Sequence, residues 1–131
     1  MNQGPHALTA TPPRGVVLFA HGSRDPLWRA PMEAVQVHLQ QHRPELRVRC
    51  AYLELTTPDL AQAVQSLVDE GARQVTVVPM FLGTGKHARE DLPLLVQTLR
   101  ATHPGVQFEV QGAIGEDPRM TALMAEIAGS A

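Results

Sequence analysis

Short runs of β-branched and other apolar residues alternate along the chain with longer segments in which apolar residues recur every three or four positions. The short runs predict buried strands and the longer segments predict helices, an alternation typical of βα units around a parallel sheet. Four such units follow one another. The strands are predicted at residues 15–20, 46–53, 74–78 and 106–110, and the helices at residues 26–42, from Thr57 to Gly71, 88–102 and 118–128.

Local signals set the helix boundaries. Thr57 followed by Pro58 predicts an N-cap residue before a proline at the first helical position, and Gly71 predicts a C-cap. Two helices are expected to carry an apolar stripe along one face. These stripes are Leu27, Ala30, Ala34, Val37 and Leu39 on the first helix, and Met120, Leu123, Met124 and Ile127 on the last. Right-handed crossovers would place helices on both faces of the sheet and all strand carboxyl ends at one edge, the rim.

Composition limits the classes of protein that fit this pattern. With 131 residues, 44% of them hydrophobic, the chain has room for one domain at residues 14–131, preceded by a flexible leader at residues 1–13. Eleven Lys and Arg against 13 Asp and Glu predict no general attraction to nucleic acid or to an anionic membrane. The single cysteine, Cys50, excludes an intramolecular disulfide or a cysteine-built metal site. With no signal-peptide pattern or transmembrane-length apolar run, a cytoplasmic protein is expected.

Two histidines follow predicted strands and lie beside glycines. His21 precedes Gly22, and His87 follows Gly85-Lys86. Because parallel strands end at the same rim, both imidazoles should emerge where open α/β proteins bind ligands. For either histidine alone, a hydrogen bond to a carbonyl in a turn is the simpler interpretation. Together they predict a metal site, whereas His38, His42 and His103 are expected away from the rim.

Glu54 ends an otherwise apolar strand, so its carboxylate should project toward the rim. With His21 and His87 it would complete a donor set of two nitrogens and one oxygen, which suits Co²⁺, Ni²⁺, Fe²⁺ or Zn²⁺ and leaves positions open for exchange. Glu54 could instead accept a proton from a substrate. It could also cap the helix that starts near Thr57.

Basic and hydroxyl groups flank the two histidines. Ser23 and Arg24 follow His21, whereas Gly85, Lys86 and Arg89 surround His87. These residues could receive an anionic substrate, helped by the positive end of a helix beside Ser23, or the cations could be solvated surface charges. The Gly83-x-Gly85 pair is a weak phosphate-loop signal because it lacks the Walker and dinucleotide spacings.

Five segments in this order carry a family resemblance. They are Val17-Leu18-Phe19-Ala20-His21-Gly22-Ser23-Arg24, Leu53-Glu54 with Pro58 and Leu60, Val78-Pro79-Met80-Phe81-Leu82, Gly85-Lys86-His87, and Asp91-Leu92-Pro93. From Gly15 to Met124 the chain resembles the short CbiX/SirB-type sirohydrochlorin chelatases of the class II chelatase family. The resemblance implies a three-layer α/β fold, with a four-stranded parallel sheet flanked by helices, that forms one half of the two-domain chelatase architecture.

The resemblance also implies a function. Such a lyase inserts cobalt, nickel or iron into sirohydrochlorin on the way to cobalamin, coenzyme F430 or sirohaem, with the divalent ion as a substrate and no organic cofactor. The metal-binding histidines of the family correspond to His21 and His87, and its acidic active-site residue to Glu54. Short members pair as homodimers, so a partner is expected here. Two alternatives remain: a metal or tetrapyrrole carrier without turnover, and a flavodoxin-like phosphate-binding module, which would need a phosphate loop.

Overall fold

The computed structural model describes residues 11–130 and shows four parallel strands in the order β2-β1-β3-β4. The strands are β1 (Arg14–Ala20), β2 (Leu46–Tyr52), β3 (Gln74–Pro79) and β4 (Gln107–Val110). The helices are α1 (Ala30–His42), α2 (Leu60–Asp69), α3 (Lys86–Thr102) and α4 (Pro118–Gly129), with short 3-10 helices at Pro26–Arg29 and Ile114–Glu116. The predicted α/β class and parallel sheet are confirmed, whereas most of the predicted leader lies outside the described residues.

The sheet separates two apolar cores. Phe19 of β1 and Val77 of β3 face the core that contains Leu67 of α2 and Val96 of α3. Leu18 and the other alternate residues of β1 face the second core, on the side of α1. Since the inner strands are buried on both faces, they appear in the sequence as continuous apolar runs. This is why the strands could be located from the sequence.

The start of α2 differs from the prediction. Asp59, and not Thr57, is the N-cap: its carboxylate accepts the N–H of Gln62 at 2.8 Å, and the Gln62 side chain accepts the N–H of Asp59 at 2.8 Å. The carbonyl of Pro58 accepts the N–H of Tyr52, so this segment remains bound to the end of β2 and the helix begins after it. The predicted C-terminal signal is confirmed, because Gly71 has a φ of +96°.

The apolar stripe predicted for the first helix is wrong except at Leu39. No residue of α1 is fully buried, Val37 is exposed, and only Met32 and Leu39 pack against the second core. Leu27 belongs to the 3-10 helix Pro26–Arg29, which the carboxylate of Asp25 caps. Leu27 therefore lies outside the periodicity of α1 and projects into solvent.

Glutamine side chains attach α1 to the sheet. Gln36 Nε2 donates to the carbonyl of Val48 at 2.9 Å, and Gln40 Nε2 donates to the carbonyl of Leu46. Gln40 Oε1 also accepts the N–H of Val48 at 3.1 Å. Directional amide hydrogen bonds thus supplement the small apolar contact of this helix.

The apolar face predicted for the last helix does not enter either core. Asp117 caps α4 by accepting the N–H of Arg119 at 2.8 Å, and the helix packs mainly against Ile114–Glu116. No residue of α4 is buried, and Leu123 and Ile127 are exposed. The position of the helix was correctly predicted. Over residues 11–130, the structure has no helix with the length and apolar character needed to span a bilayer.

Cys50 gives a test of the packing between α1 and β2. Its thiol is buried, and its Sγ lies 3.4 Å from Gln36 Oε1. Burial raises the pKa of this thiol to about 11. Because the thiolate is the reactive species, we expect alkylation at pH 8 to be at least about 100-fold slower in the native protein than in denaturant. Mass spectrometry of timed iodoacetamide reactions measures the ratio, and equal rates would contradict this packing.

Candidate metal site

Backbone hydrogen bonds continue beyond the strands and bring three rim loops together. The N–H of Leu53 donates to the carbonyl of Ala20 at 2.8 Å, which joins the loops after β1 and β2. The N–H of Met80 donates to the carbonyl of Phe19 at 2.7 Å, which joins the loop after β3 to the same strand end. The loops after β1, β2 and β3 therefore start from adjacent points, as parallel strand order predicts.

The loops after β1 and β2 touch at Gly22. A Cβ atom at this position would lie 1.6 Å from the carbonyl oxygen of Glu54. Only glycine permits so close an approach of the two backbones. The β2 loop then turns sharply, because Leu55 has a φ of +68° and the N–H of Thr56 donates to the carbonyl of Glu54 at 2.9 Å.

This turn holds Glu54 beside His21. His21 Nδ1 lies 3.5 Å from Glu54 Oε1, and both side chains are partly exposed to solvent. The His21 ring also contacts Phe81, with 4.8 Å between ring centroids, and the His21 carbonyl accepts Trp28 Nε1–H at 3.1 Å. Glu54 and one of the two histidines thus meet at the rim. At this separation the carboxylate can share an ion with the imidazole or accept its Nδ1–H and leave Nε2 for a metal.

His87 lies in the first turn of α3 and is exposed. The N-cap of this helix is Gly85, which has no side chain to bind the first N–H groups. Within residues 11–130, no group of three His, Cys, Asp or Glu side chains is close enough to hold one ion. The structure therefore pairs His21 with Glu54 but does not assemble all three predicted ligands in one chain.

The predicted substrate-binding residues have different surroundings. Ser23 Oγ accepts the N–H of Asp25 at 3.0 Å, and the Asp25 carboxylate caps the following 3-10 helix. The expectation of a free helix N-terminus beside Ser23 is therefore wrong, because Asp25 supplies the negative charge there. Arg89 donates to the carbonyl of Thr84 at 3.0 Å, so its guanidinium bends back onto the loop.

Arg24 and Lys86 remain available to an anion. Both are exposed, and neither forms an ion pair in the part of the chain that the structure describes. A carboxylate of a ligand would meet no competing protein carboxylate on these two cations.

Two aromatic residues at this site were missed in the sequence. Trp28 bonds the backbone of His21, and Phe81 supports its ring. Trp28 is the only tryptophan in the chain and follows the first rim segment by a few residues, which is a usable signal. Nothing in the spacing of Phe81 indicates its contact with His21, because that contact crosses between two strands.

Comparisons with known proteins agree with this arrangement. The CbiX family model matches residues 15–131. The sirohydrochlorin cobaltochelatase of Sulfolobus acidocaldarius is 28% identical over 117 residues, which cover 89% of this chain and 91% of that protein. The enzyme of the same name from Methanopyrus kandleri is 32% identical over 81 residues, or 62% of this chain and 57% of that protein. The chain thus matches nearly all of the first relative and a little over half of the second.

Solved structures share the fold. The CbiX protein of Marinobacter aquaeolei VT8 superimposes with a TM-score of 0.73 at 32% identity, covering 90% of this chain and 96% of that one. The sirohydrochlorin chelatase SirB of Bacillus subtilis subspecies spizizenii, solved in complex with cobalt, has a TM-score of 0.77 at 22% identity, and the match covers 90% of this chain and half of SirB. With a family model matched across almost its whole length, this chain belongs to the CbiX family.

Proposed function

We propose that this protein is a sirohydrochlorin metal chelatase that inserts Co²⁺ into the macrocycle. The observation that carries the proposal is the His21–Glu54 pair, 3.5 Å apart and open to solvent at the rim. The sirohydrochlorin cobaltochelatases that match the chain supply the substrate class and the preferred ion. Ni²⁺ and Fe²⁺ suit the same nitrogen and oxygen donors, so they are the competing ions.

The reaction exchanges one divalent ion for two protons. The ion enters the macrocycle, four ring nitrogens bind it, and the two pyrrole N–H protons leave. A transferable ion must be held loosely, and a site with fewer than four protein ligands leaves positions for water and for the incoming nitrogens. We propose that His21 and Glu54 receive the ion and that His87, which the structure does not group with them, reaches the same ion from α3 when the ion binds. We propose that these groups also accept the released protons. The ion is a substrate, and the proposed reaction uses no organic cofactor.

The cationic residues at the rim suit the anionic substrate. Sirohydrochlorin carries carboxylates around its periphery, and we propose that Arg24, Lys86 and Arg89 bind them, with Ser23 and the backbone at Gly85 adding hydrogen bonds. Arg24 and Lys86 give the proposed carboxylate binding its strongest support, because both are exposed and free of ion pairs within residues 11–130. We propose that the protein performs this reaction in the cytoplasm.

An anaerobic insertion assay tests the function directly. Purified protein is mixed with sirohydrochlorin and Co²⁺, Ni²⁺ or Fe²⁺, and the absorption change of the macrocycle is followed against the uncatalysed rate. We expect many turnovers per protein with Co²⁺. Binding of one ion or one macrocycle without turnover would refute the enzyme and support a carrier.

We further propose that the chain acts as a homodimer. A cleft of about 440 Å³ lies between α3 and the end of β4, with Leu92, Val96 and Val110 in its lining. The apolar face of α4 packs into neither core of its own chain. A reciprocal exchange, with α4 of each copy in the cleft of the other, would cover both apolar surfaces.

Charged substitutions on α4 test the dimer. We expect Leu123→Asp combined with Ile127→Asp to convert a species of twice the 14.2 kDa chain mass into monomer, because each carboxylate would be buried without a partner. Light scattering coupled to size exclusion measures the mass. Ala125→Asp, on the opposite side of the same helix, is the matched control and should leave the dimer intact. A monomeric wild type, or an unchanged double variant, would contradict the proposal.

A further inference from the structure

Large apolar side chains are exposed on all three rim loops around His21. Leu27 and Trp28 follow β1, Leu55 follows β2, and Leu82 follows β3, with exposures of 79%, 53%, 56% and 72%. Single exposed apolar residues need no explanation, but four on adjacent loops form a surface that water covers poorly. We call these four residues the rim apolar set.

The backbone of His21 holds the Trp28 side chain in place. Its Nε1–H donates to the carbonyl of His21 at 3.1 Å, so the only polar group of the indole is satisfied by the protein. About half of the side chain nevertheless remains open to solvent. What the indole offers to a ligand is therefore a flat apolar ring attached to the backbone of His21.

Leu55 occupies a backbone conformation that disfavours leucine. Its φ of +68° lies in the left-handed region, where glycine and asparagine are better tolerated. The Leu55 side chain is exposed, so burial in the core does not compensate for this strain. Stability alone would favour another residue, which indicates that the side chain has a use at the surface.

Leu82 is positioned by its backbone. A Cβ atom at Gly115 would lie 2.0 Å from the Leu82 carbonyl oxygen, so the loop after β3 is closely packed against the 3-10 helix Ile114–Glu116. The preceding residue, Phe81, is buried and contacts the His21 ring. The exposed Leu82 side chain is thus carried by a segment whose backbone packs against Gly115 and follows a buried residue.

We propose that the rim apolar set binds one face of the tetrapyrrole, with the Trp28 indole stacked on the macrocycle and its centre directed toward His21. This inference rests on the proposed function and adds the surface that holds the substrate. A tetrapyrrole is a flat apolar ring with carboxylates at its edge. The rim offers exposed apolar side chains, and the segments after β1 and β3 that carry three of them also carry the exposed cations Arg24 and Lys86, which form no ion pair within residues 11–130. Charge and shape therefore favour a tetrapyrrole, and not an uncharged surface of another protein, as the molecule that binds the rim apolar set.

Direct titration of metal-free sirohydrochlorin, followed by absorbance, tests the proposal. We expect Trp28→Ala to raise the dissociation constant about tenfold, which is the effect of losing one aromatic stacking partner. Trp28→Phe keeps a ring but loses the bond to the His21 carbonyl, and it should stay within about threefold of wild type. Val37→Ala, which removes a side chain of similar exposure (54%) from α1, is the matched control and should bind normally.

Leu55→Asn separates binding from stability. The substitution removes an apolar contact and relieves the unfavourable φ, so we expect weaker macrocycle binding, by about fivefold, with an unchanged or higher melting temperature. In insertion assays both Leu55→Asn and Trp28→Ala should raise the KM for sirohydrochlorin while kcat and the affinity for Co²⁺ change less than twofold. A residue with a merely structural role would not give this pattern.

Several outcomes would overturn the inference. Unchanged sirohydrochlorin binding by Trp28→Ala would do so, as would an equal loss in Trp28→Phe, since the hydrogen bond and not the ring would then matter. A fall in oligomer mass in both Trp28→Ala and Leu55→Asn would assign the surface to a second copy of the chain. Wild-type protein that binds sirohydrochlorin but does not insert metal would refute the chelatase alone, because the binding comparison would still stand.

Discussion

Replacing His21 with alanine is expected to slow cobalt insertion at least about 100-fold. The imidazole is the group on which the site is built: it pairs with Glu54, rests on Phe81 and is joined to Trp28 through its own carbonyl. Its removal takes away a metal donor and a proton acceptor at once, and loss of a positioned proton acceptor alone costs about two orders of magnitude or more. His87→Ala should have a similar effect if α3 supplies the second nitrogen.

Stopped-flow or steady-state absorption under anaerobic conditions measures these rates, and cobalt affinity is measured separately by titration. His38→Ala is the matched control. His38 is an exposed histidine on α1, stacked on His42 with 4.1 Å between ring centroids, so this substitution removes an imidazole that lies outside the site. Insertion by His38→Ala should equal that of wild type. Insertion by His21→Ala at the wild-type rate would refute the assignment of the site.

Replacing Gly22 with alanine is expected to damage both the site and the fold. The new methyl group would lie 1.6 Å from the carbonyl oxygen of Glu54, a backbone atom that no rotamer change can move. The loop after β2 would have to shift, which would carry the Glu54 carboxylate away from His21. We expect the free energy of unfolding to fall by about 1–3 kcal/mol, as for other overpacked positions, and the insertion rate to fall more than tenfold.

Urea titration followed by circular dichroism gives the stability, and the insertion assay gives the rate. Gly83→Ala is the matched control, because an added Cβ there has no neighbour within 4 Å, and it should change neither quantity appreciably. Full activity and normal stability in Gly22→Ala would show that the two loops are farther apart than this structure places them.

The fold was largely predictable because each strand has its own local signal. Apolar β-branched runs marked the strands, and Gly71 marked the end of α2 at a residue whose positive φ favours glycine. The packing of α1 and α4 was not predictable in the same way. An apolar period shows that a helix has an apolar side, but it does not say which surface covers that side. For Leu27 even the period was misleading, since a 3-10 helix precedes α1.

Strand order predicted which residues of the candidate site lie at the rim, but not how the rim loops pack against each other. Parallel strands bring His21 and Glu54 to one rim, and the structure places them together. The contact between Gly22 and Glu54 and the left-handed turn at Leu55 depend on how two irregular loops fit against each other. No periodic pattern encodes such a fit. The indole of Trp28 reaches His21 through a loop of the same kind.

The glutamines of α1 have a consequence for how the chain behaves at high concentration. β2 is an outer strand of the sheet, and an outer strand with free N–H and carbonyl groups can pair with a strand of another molecule. The amides of Gln36 and Gln40 occupy the carbonyls of Val48 and Leu46 and the N–H of Val48. Pairing with another strand is therefore disfavoured at these two residues, and α1 acts as a polar cover over this edge of the sheet.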